Sequence, residues 1–351
     1  MSFWQGRRVF LTGHTGFKGS WLALWLQDLG AEVFGYALKP VDAVNLFDIA
    51  NVKSGMISEF NDIRDIQQLS KAMKIFAPEI IFHLAAQPIV RKSYINPIET
   101  YSVNVMGLVN VLEAVRSCKS IKAMVNISSD KCYQNNEWIW GYREIDPIGG
   151  HDPYSCSKGC AELITASYRA SFFRPDEESG VLLASARAGN VVGGGDWAQD
   201  RLVPDIIKSL SVHKPANIRN PSAVRPWQHV LEPLAGYLQL GEALLNKGSE
   251  FASAWNFGPL HNDTCSVAEI ADLLVQEWGE DASWRCEDPL GPHEANLLSL
   301  DCAKANRQLK WFPKWDSSIM LKKTVEWYKD YLSGEDMRSV MLSQISEYMD
   351  L

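Results

Sequence analysis

The sequence lacks the marks of a metal centre. Its seven histidines are dispersed with no His-x-x-x-His pair, and its seven cysteines are an odd number at scattered spacings. Cys156 and Cys160 stand four apart and can share a helix face, but no second ligand pair accompanies them, so they read as packing thiols. The same count argues against a disulfide framework and for reduced thiols in a cytoplasm. No apolar run is long enough to span a bilayer, and the opening residues Met1–Arg8 have no signal-peptide core. Basic residues are in deficit: 34 Lys and Arg against 42 Asp and Glu give a net charge of −8. That excludes a global attraction for nucleic acid or anionic membranes but leaves room for a local basic pocket. No internal repeat or low-complexity linker divides the 351 residues. The expectation is a soluble, metal-free cytoplasmic protein of one large domain or two closely packed ones.

The chain does have a strand–turn–helix at its start. Arg7–Thr12 reads as a buried parallel strand, and Ser20–Gly30 as a helix closed by glycine. Between them runs Gly13-His14-Thr15-Gly16-Phe17-Lys18-Gly19. Glycines at this place allow a tight turn and bring backbone amides up to a pyrophosphate at a helix N-terminus. The second strand, Ala31–Ala37, ends in Leu38-Lys39-Pro40 and lacks the acid that accepts ribose hydroxyls in NAD sites. Lys39 suits a 2′-phosphate, so this loop leaves NAD and NADP both open. Asp62 is placed to accept from an adenine amine with Ile63 against the ring, or equally to cap the helix running to Phe76.

Further strands follow at Glu79–Leu84, Lys122–Ser128 and Val181–Arg187, alternating with helices. That alternation predicts a doubly wound parallel sheet with right-handed crossovers. Ligands in such sheets sit at the strand carboxyl ends. Gly13, the small-residue loop Leu84-Ala85-Ala86-Gln87, Ser129 and Asn190 all fall there. A long helix spanning 97–118 carries Asn104, a polar group that needs a partner if buried.

The strand Lys122–Ser128 delivers Ser129-Asp130-Lys131, and a helix from Tyr154 carries Lys158 one turn on, on the same face. An ammonium beside a phenol favours the phenolate, lowering a Tyr pKa that is otherwise about 10. Tyr154 is therefore a candidate general base for an alcohol proton. After Arg187 the pattern loosens. Arg201, with Leu202 beside it, Arg225 and His229 are candidates to hold a diphosphate, and Trp227 to pack on a ring. Helices at 233–245 and 267–277 flank a strand at 254–257, and 317–348 reads as amphipathic helix with core aromatics.

Taken in order, Thr12–Gly19, His83–Ala86, Asn104, Ser128–Lys131, Tyr154-x-x-x-Lys158 and Asn190 resemble the extended short-chain dehydrogenase/reductase family over nearly the whole chain. The resemblance implies a Rossmann-type NAD(P) domain, here 1–187 with 229–256 returning to it. It also implies a smaller mixed α/β nucleotide-sugar domain, 188–228 with 257–351, and a homodimer or homotetramer. Ser129-Asp130-Lys131 in particular resembles the nucleotide-sugar 4,6-dehydratases. Lys in place of their usual Glu, with the opening Thr-Gly-His-Thr-Gly-Phe-Lys-Gly-Ser-Trp, is similar to those acting on CDP-glucose. His293 lies in a segment that contacts substrate in that family.

In this reading a tightly bound cofactor is regenerated each turnover. Tyr154 takes the C4 hydroxyl proton, Lys158 lowers the Tyr pKa and holds the nicotinamide ribose, and Ser129 hydrogen-bonds the reacting oxygen. Asp130, if protonated, supplies the departing C6 hydroxyl with a proton. Lys131 is either the base at C5 or an electrostatic partner of the enolate. The product, a 4-keto-6-deoxy sugar, implies a surface-polysaccharide pathway. Two other readings use the same residues. A 4-epimerase needs Tyr154 and Lys158 but not the Asp130-Lys131 pair. A cofactor-binding regulatory protein needs none of the chemistry.

Overall fold

The structure is a computed structural model describing residues 2–174, 180–260, 263–279, 281–286 and 297–351. His293 lies outside the described residues. Six strands come first: β1 (Arg8–Thr12), β2 (Glu32–Ala37), β3 (Ile57–Phe60), β4 (Ile80–His83), β5 (Ala123–Ile127) and β6 (Leu182–Ala188). With the strand Ala254–Phe257 they make one seven-stranded sheet, in the spatial order Ala254–Phe257, β6, β5, β4, β1, β2, β3. Every pairing is parallel. A sheet covered on both faces takes near-continuous apolar strands, and β1, β4 and β5 are of that kind. Strand order reverses between β1 and β4, which opens a crevice at their carboxyl ends.

Two cores cover the two faces. One face carries the helices Phe17–Asp28 and Leu231–Lys247, packed through Trp21, Leu24, Leu234 and Leu238. The first of these is apolar almost all round because the final helix covers its outer side; Trp25 Nε1 lies 3.3 Å from the Met349 sulfur. The opposite face buries Phe10, Ile81 and Met124 under the helices Ile66–Phe76, Leu108–Arg116 and Pro153–Ser171.

Two stretches depart from the sequence reading. The expected single helix over 97–118 is α-helical at Pro97–Tyr101 and Leu108–Arg116, with a π-helical turn, Ser102–Gly107, between them. The wider turn carries Asn104 to the loop after β4, a placement typical of such insertions. Gly107 lets Ile63 approach: a Cβ there would stand 2.6 Å from Ile63 Cδ1. The C-terminal helical stretch is two helices, Ser317–Ser333 and Met337–Met349, divided at Gly334, whose φ of +84° suits only glycine without strain.

Beyond β6 the chain builds short pairs: Asn190–Val192 with Trp227–His229, Ala216–Ile218 with Trp284–Cys286, and Val224–Arg225 with Cys265–Ser266. These, with the helix Leu202–Leu210, face the carboxyl ends of the sheet across one cleft. Among the described residues no helix is long and apolar enough to cross a membrane.

Candidate active site

The cleft holds about 1590 Å³. Its floor is the glycine turn. Gly13 has φ +78°, and a Cβ there would stand 2.7 Å from Ala85 N; at Gly19 it would stand 2.0 Å from Gly13 O. Gly16 caps the helix Phe17–Asp28 without a side chain, so nothing of the protein's own competes for the first amides. The turn is fastened to β4 by Thr12. Its Oγ1 accepts from the amides of Leu84 and Ala85, both at 3.2 Å, and lies 2.7 Å from His83 Nδ1. Burial pulls His83 down to about 3, so its ring is neutral. This backbone-built, side-chain-free cradle fits a dinucleotide pyrophosphate.

Gly13, Thr15, Gly16, Phe17, Lys18 and Gly19 line the cleft, as do Asp62, Ile63, Leu84, Ala85 and Ala86. Asp62 is held by Arg64 at 2.6 Å, and the cap of the helix Ile66–Phe76 is Asp65 instead. Four residues expected to touch a cofactor do not reach the cleft. His14 is buried beneath the turn, its Nε2 2.7 Å from Ser58 Oγ, and burial pulls it down to about 4. Lys39 is exposed on the rim outside the lining. Gln87 and Asn104 stand behind the wall. Asn104 Oδ1 accepts from Gln87 N at 2.8 Å, and its Nδ2 donates to Ser157 Oγ at 2.9 Å. Asn104 thus ties the β4 loop to the helix bearing Tyr154.

That helix starts as its sequence dictates. Asp152 caps it, accepting from Ser155 N at 2.9 Å, and Pro153 takes the first position. Tyr154 and Lys158 both line the cleft and both are nearly buried. Burial pushes Tyr154 up to about 12, against a Ser129 hydrogen bond and the Arg201 charge, which lower it. Burial also pulls Lys158 down to about 8, with Glu162 opposing. On balance Tyr154 lies above its ordinary value in this geometry, with Arg201 among the groups that oppose the rise.

The turn after β5 brings Ser129, Asp130 and Lys131 to the same cleft. Ser129 Oγ donates to Asp130 Oδ1 at 2.9 Å and accepts from Lys131 N at 3.2 Å. Asp130 is buried and its Oδ2 has no hydrogen-bond partner among the described residues. Burial raises its pKa, against the Lys131 charge, the Ser129 bond and Arg225. The result is a carboxyl disposed to carry a proton, in the cleft where Tyr154 stands.

On the far side Asn190, Arg201, Leu202, Arg225 and Trp227 line the cleft. Arg201 is fixed by Asp196 at 2.6 Å, and Trp227 donates from Nε1 to Cys265 O at 3.0 Å. His229 does not join them: it is fully buried, its ring 4.7 Å from that of Trp315, and burial pulls it down to about 3. It is a core histidine. Sequence reasoning misses Asp196, and also the pair Arg91 and Arg219, which converge on Asp200 at 3.1 and 3.4 Å at the cleft mouth. The one signal is an acid after Gly193-Gly-Gly195, since the partners lie far apart in sequence. It also misses Lys18 as a charge. Burial and the nearby Lys158 and Arg201 pull it down to about 7.

A glycine cradle at a strand reversal, with a Tyr–Lys helix and a buried acid facing one cleft, defines a dinucleotide-dependent enzyme acting on an alcohol carbon. Comparison makes the class specific. Residues 10–324 match the model of the family described as GDP-mannose 4,6 dehydratase, and the chain belongs to that family. It is 55% identical over 350 residues to the CDP-glucose 4,6-dehydratase of Salmonella typhimurium, covering 99% of this chain and 98% of that protein. The CDP-paratose 2-epimerase of Salmonella typhi is 25% identical, over 91% of this chain and 98% of its own. Among solved structures, a dTDP-glucose 4,6-dehydratase from Streptomyces venezuelae with NAD and TYD bound superposes with a TM-score of 0.80. It is 22% identical and covers 94% of this chain and 99% of that one, a likeness of fold.

Proposed function

We propose that the chain is an NAD-dependent lyase that converts CDP-D-glucose to CDP-4-dehydro-6-deoxy-D-glucose and water, for a deoxysugar of a surface polysaccharide. The observation that carries this is the buried Asp130 oxygen, without a hydrogen-bond partner among the described residues, standing in one cleft with Tyr154. The 55% relative supports the nucleotide. Residues 1–187 and 229–256 hold the cofactor in this reading, and 188–228 with 257–351 the nucleotide sugar.

NAD, when bound, supplies the acceptor for the C4 hydrogen and its return at C6. The glycine turn holds its pyrophosphate, and Lys158 its nicotinamide ribose. Tyr154 takes the C4 hydroxyl proton, with Ser129 bonded to the same oxygen. Asp130 gives its proton to the departing C6 hydroxyl. Lys131, beside Asp130 in the cleft lining, either accepts the C5 proton itself or faces the enolate charge left when another base accepts it. Arg201 and Arg225 face the diphosphate.

A homodimer or homotetramer in the cytoplasm is part of the reading. The helical layer around the π-turn exposes Ile95, Ile98, Met106 and Leu163, an apolar face suited to a second copy.

The test is incubation with CDP-glucose, dTDP-glucose, GDP-mannose and UDP-glucose separately, each with catalytic NAD. The readouts are the ultraviolet absorbance that a 4-keto-6-deoxy product develops in alkali and a mass loss of one water. Signal from CDP-glucose alone is expected. Signal from another sugar nucleotide sinks the nucleotide assignment. Change of C4 configuration without water loss makes the protein an epimerase.

A further inference from the structure

Among the described residues, the proposed chemistry leaves the buried cation Arg187 unused. Arg187, on β6, has a side chain only 5% exposed. Its Nη2 donates to Glu162 Oε2 at 2.7 Å. Its Nη1 donates to the Tyr133 hydroxyl at 2.7 Å and to the Glu144 carbonyl at 3.2 Å. Tyr133 lies two residues past Lys131, and Glu162 lies one helical turn past Lys158. A single guanidinium thereby joins the segment carrying Asp130 and Lys131 to the helix carrying Tyr154 and Lys158.

Both ends of this brace are themselves held. Ser185 Oγ donates to the same Glu162 oxygen at 2.8 Å. The Tyr133 hydroxyl donates to Asn256 Oδ1 at 2.7 Å, and Asn256 Nδ2 donates to the Tyr142 carbonyl at 2.8 Å. The helix and the turn are also in close backbone contact. At Gly159 a Cβ would stand 2.9 Å from Gly149 O and 3.5 Å from Cys132 O, so a displacement of one carries to the other. Neither Arg187 nor Glu162 lines the cleft, whereas Tyr133 does.

We infer that Arg187 is a positioning residue that fixes the distance between the Asp130–Lys131 turn and the Tyr154–Lys158 helix, so that one bound sugar meets both. This rests on the dehydratase reading above. An epimerase would have less use for such a brace, since its chemistry needs Tyr154 and Lys158 but not the Asp130–Lys131 pair. Arginine is required because its planar fork satisfies two partners at a set angle, while a lysine is a point charge.

The test compares wild type with Arg187→Lys and Tyr133→Phe. The first keeps a buried cation beside Glu162 and gives up the fork; the second removes only the hydroxyl at the far end. Both are expected to bind NAD with the wild-type Kd in a titration and to melt close to wild type. Misplacement by about an ångström costs on the order of 10²-fold in rate, so kcat should fall about 10²-fold for Arg187→Lys and about tenfold for Tyr133→Phe, with KM nearly unchanged. Reduced nicotinamide should build up during turnover, because elimination needs Asp130 and Lys131 on the turn, whereas C4 oxidation asks of the turn only the Ser129 hydrogen bond. Wild-type kcat in both variants overturns the inference. So does a fall in kcat with no build-up of reduced nicotinamide, which would make Arg187 part of the general scaffold. If Arg187→Lys does not fold, Tyr133→Phe decides. A wild-type protein that dehydrates none of the four sugar nucleotides overturns the dehydratase reading instead, and this inference with it.

Discussion

Two elements meet in the cleft, and burial acts on them with opposite consequences. Tyr154 stands on a regular helix and Asp130 on a short turn after β5. Removing water from either disfavours its charged form, raising both pKa values. For the acid proposed here this is useful: Asp130 is shifted toward the protonated form that donation needs. For a base it is a handicap: a phenol at about 12 is protonated at neutral pH. The turn is therefore prepared for its task before any ligand arrives, whereas the helix depends on cations around it. Arg201 is one that lowers Tyr154 in this geometry, and Lys158 is itself pulled down to about 8. The same helix serves any reaction that begins by oxidising a sugar alcohol. In the proposed reaction it is the turn that governs whether the oxidised sugar then loses water.

Tyr154→Phe should break the comparison most severely. Removing the base is expected to lower product formation about 10⁴-fold and to abolish reduced nicotinamide in the mixture, measured by its absorbance. Asp130→Asn should be the milder loss, about 10²- to 10³-fold in dehydration, with C4 oxidation kept.

A pH series sharpens the contrast. Below its pKa of about 12, the fraction of Tyr154 in the base form grows about tenfold per pH unit. Above the raised pKa of Asp130, the acid form is lost at the same rate per unit. Oxidation should accelerate as pH rises and elimination slow, so reduced nicotinamide accumulates toward alkaline pH. Stopped-flow absorbance at several pH values checks this, and an accumulation that instead falls with pH contradicts the assignment of the two groups.

Arg201→Met is expected to slow oxidation about tenfold and to move the acidic limb of its pH profile upward. Smallest of all should be Lys39→Ala. With Lys39 exposed outside the lining, NAD binding measured by titration should change by less than about twofold, as at an ordinary surface position.

The parts of the molecule legible in the sequence are those whose signals are local. The parallel sheet, the glycine turn and the Tyr154–Lys158 pair are written in contiguous runs or fixed spacings, and they stand where the periodicity puts them. The π-turn at Ser102–Gly107 has no such signature, because it arises from Asn104 meeting Gln87 and Ser157 across the fold. His14 and His229 sit in promising segments, but a strand or turn residue has two directions to face, and packing against Phe47 and Trp315 turns both rings inward. Residue type alone points to Arg201, while its partner Asp196 and its effect on Tyr154 need the third dimension. Spacing brings Tyr154 and Lys158 to one cleft, but it reports adjacency and says nothing of the desolvation that pushes Tyr154 up to about 12.

The central claim is the division of labour between helix and turn, and one experiment meets it directly. Asp130→Asn, loaded with NAD, is mixed with CDP-glucose in a single turnover while nicotinamide absorbance and release of the dehydrated sugar are followed together. The account predicts reduced nicotinamide in an amount close to the number of sites, formed at near the wild-type rate and decaying slowly, with little water lost. Dehydration at the wild-type rate, or no reduced nicotinamide at all, would contradict it.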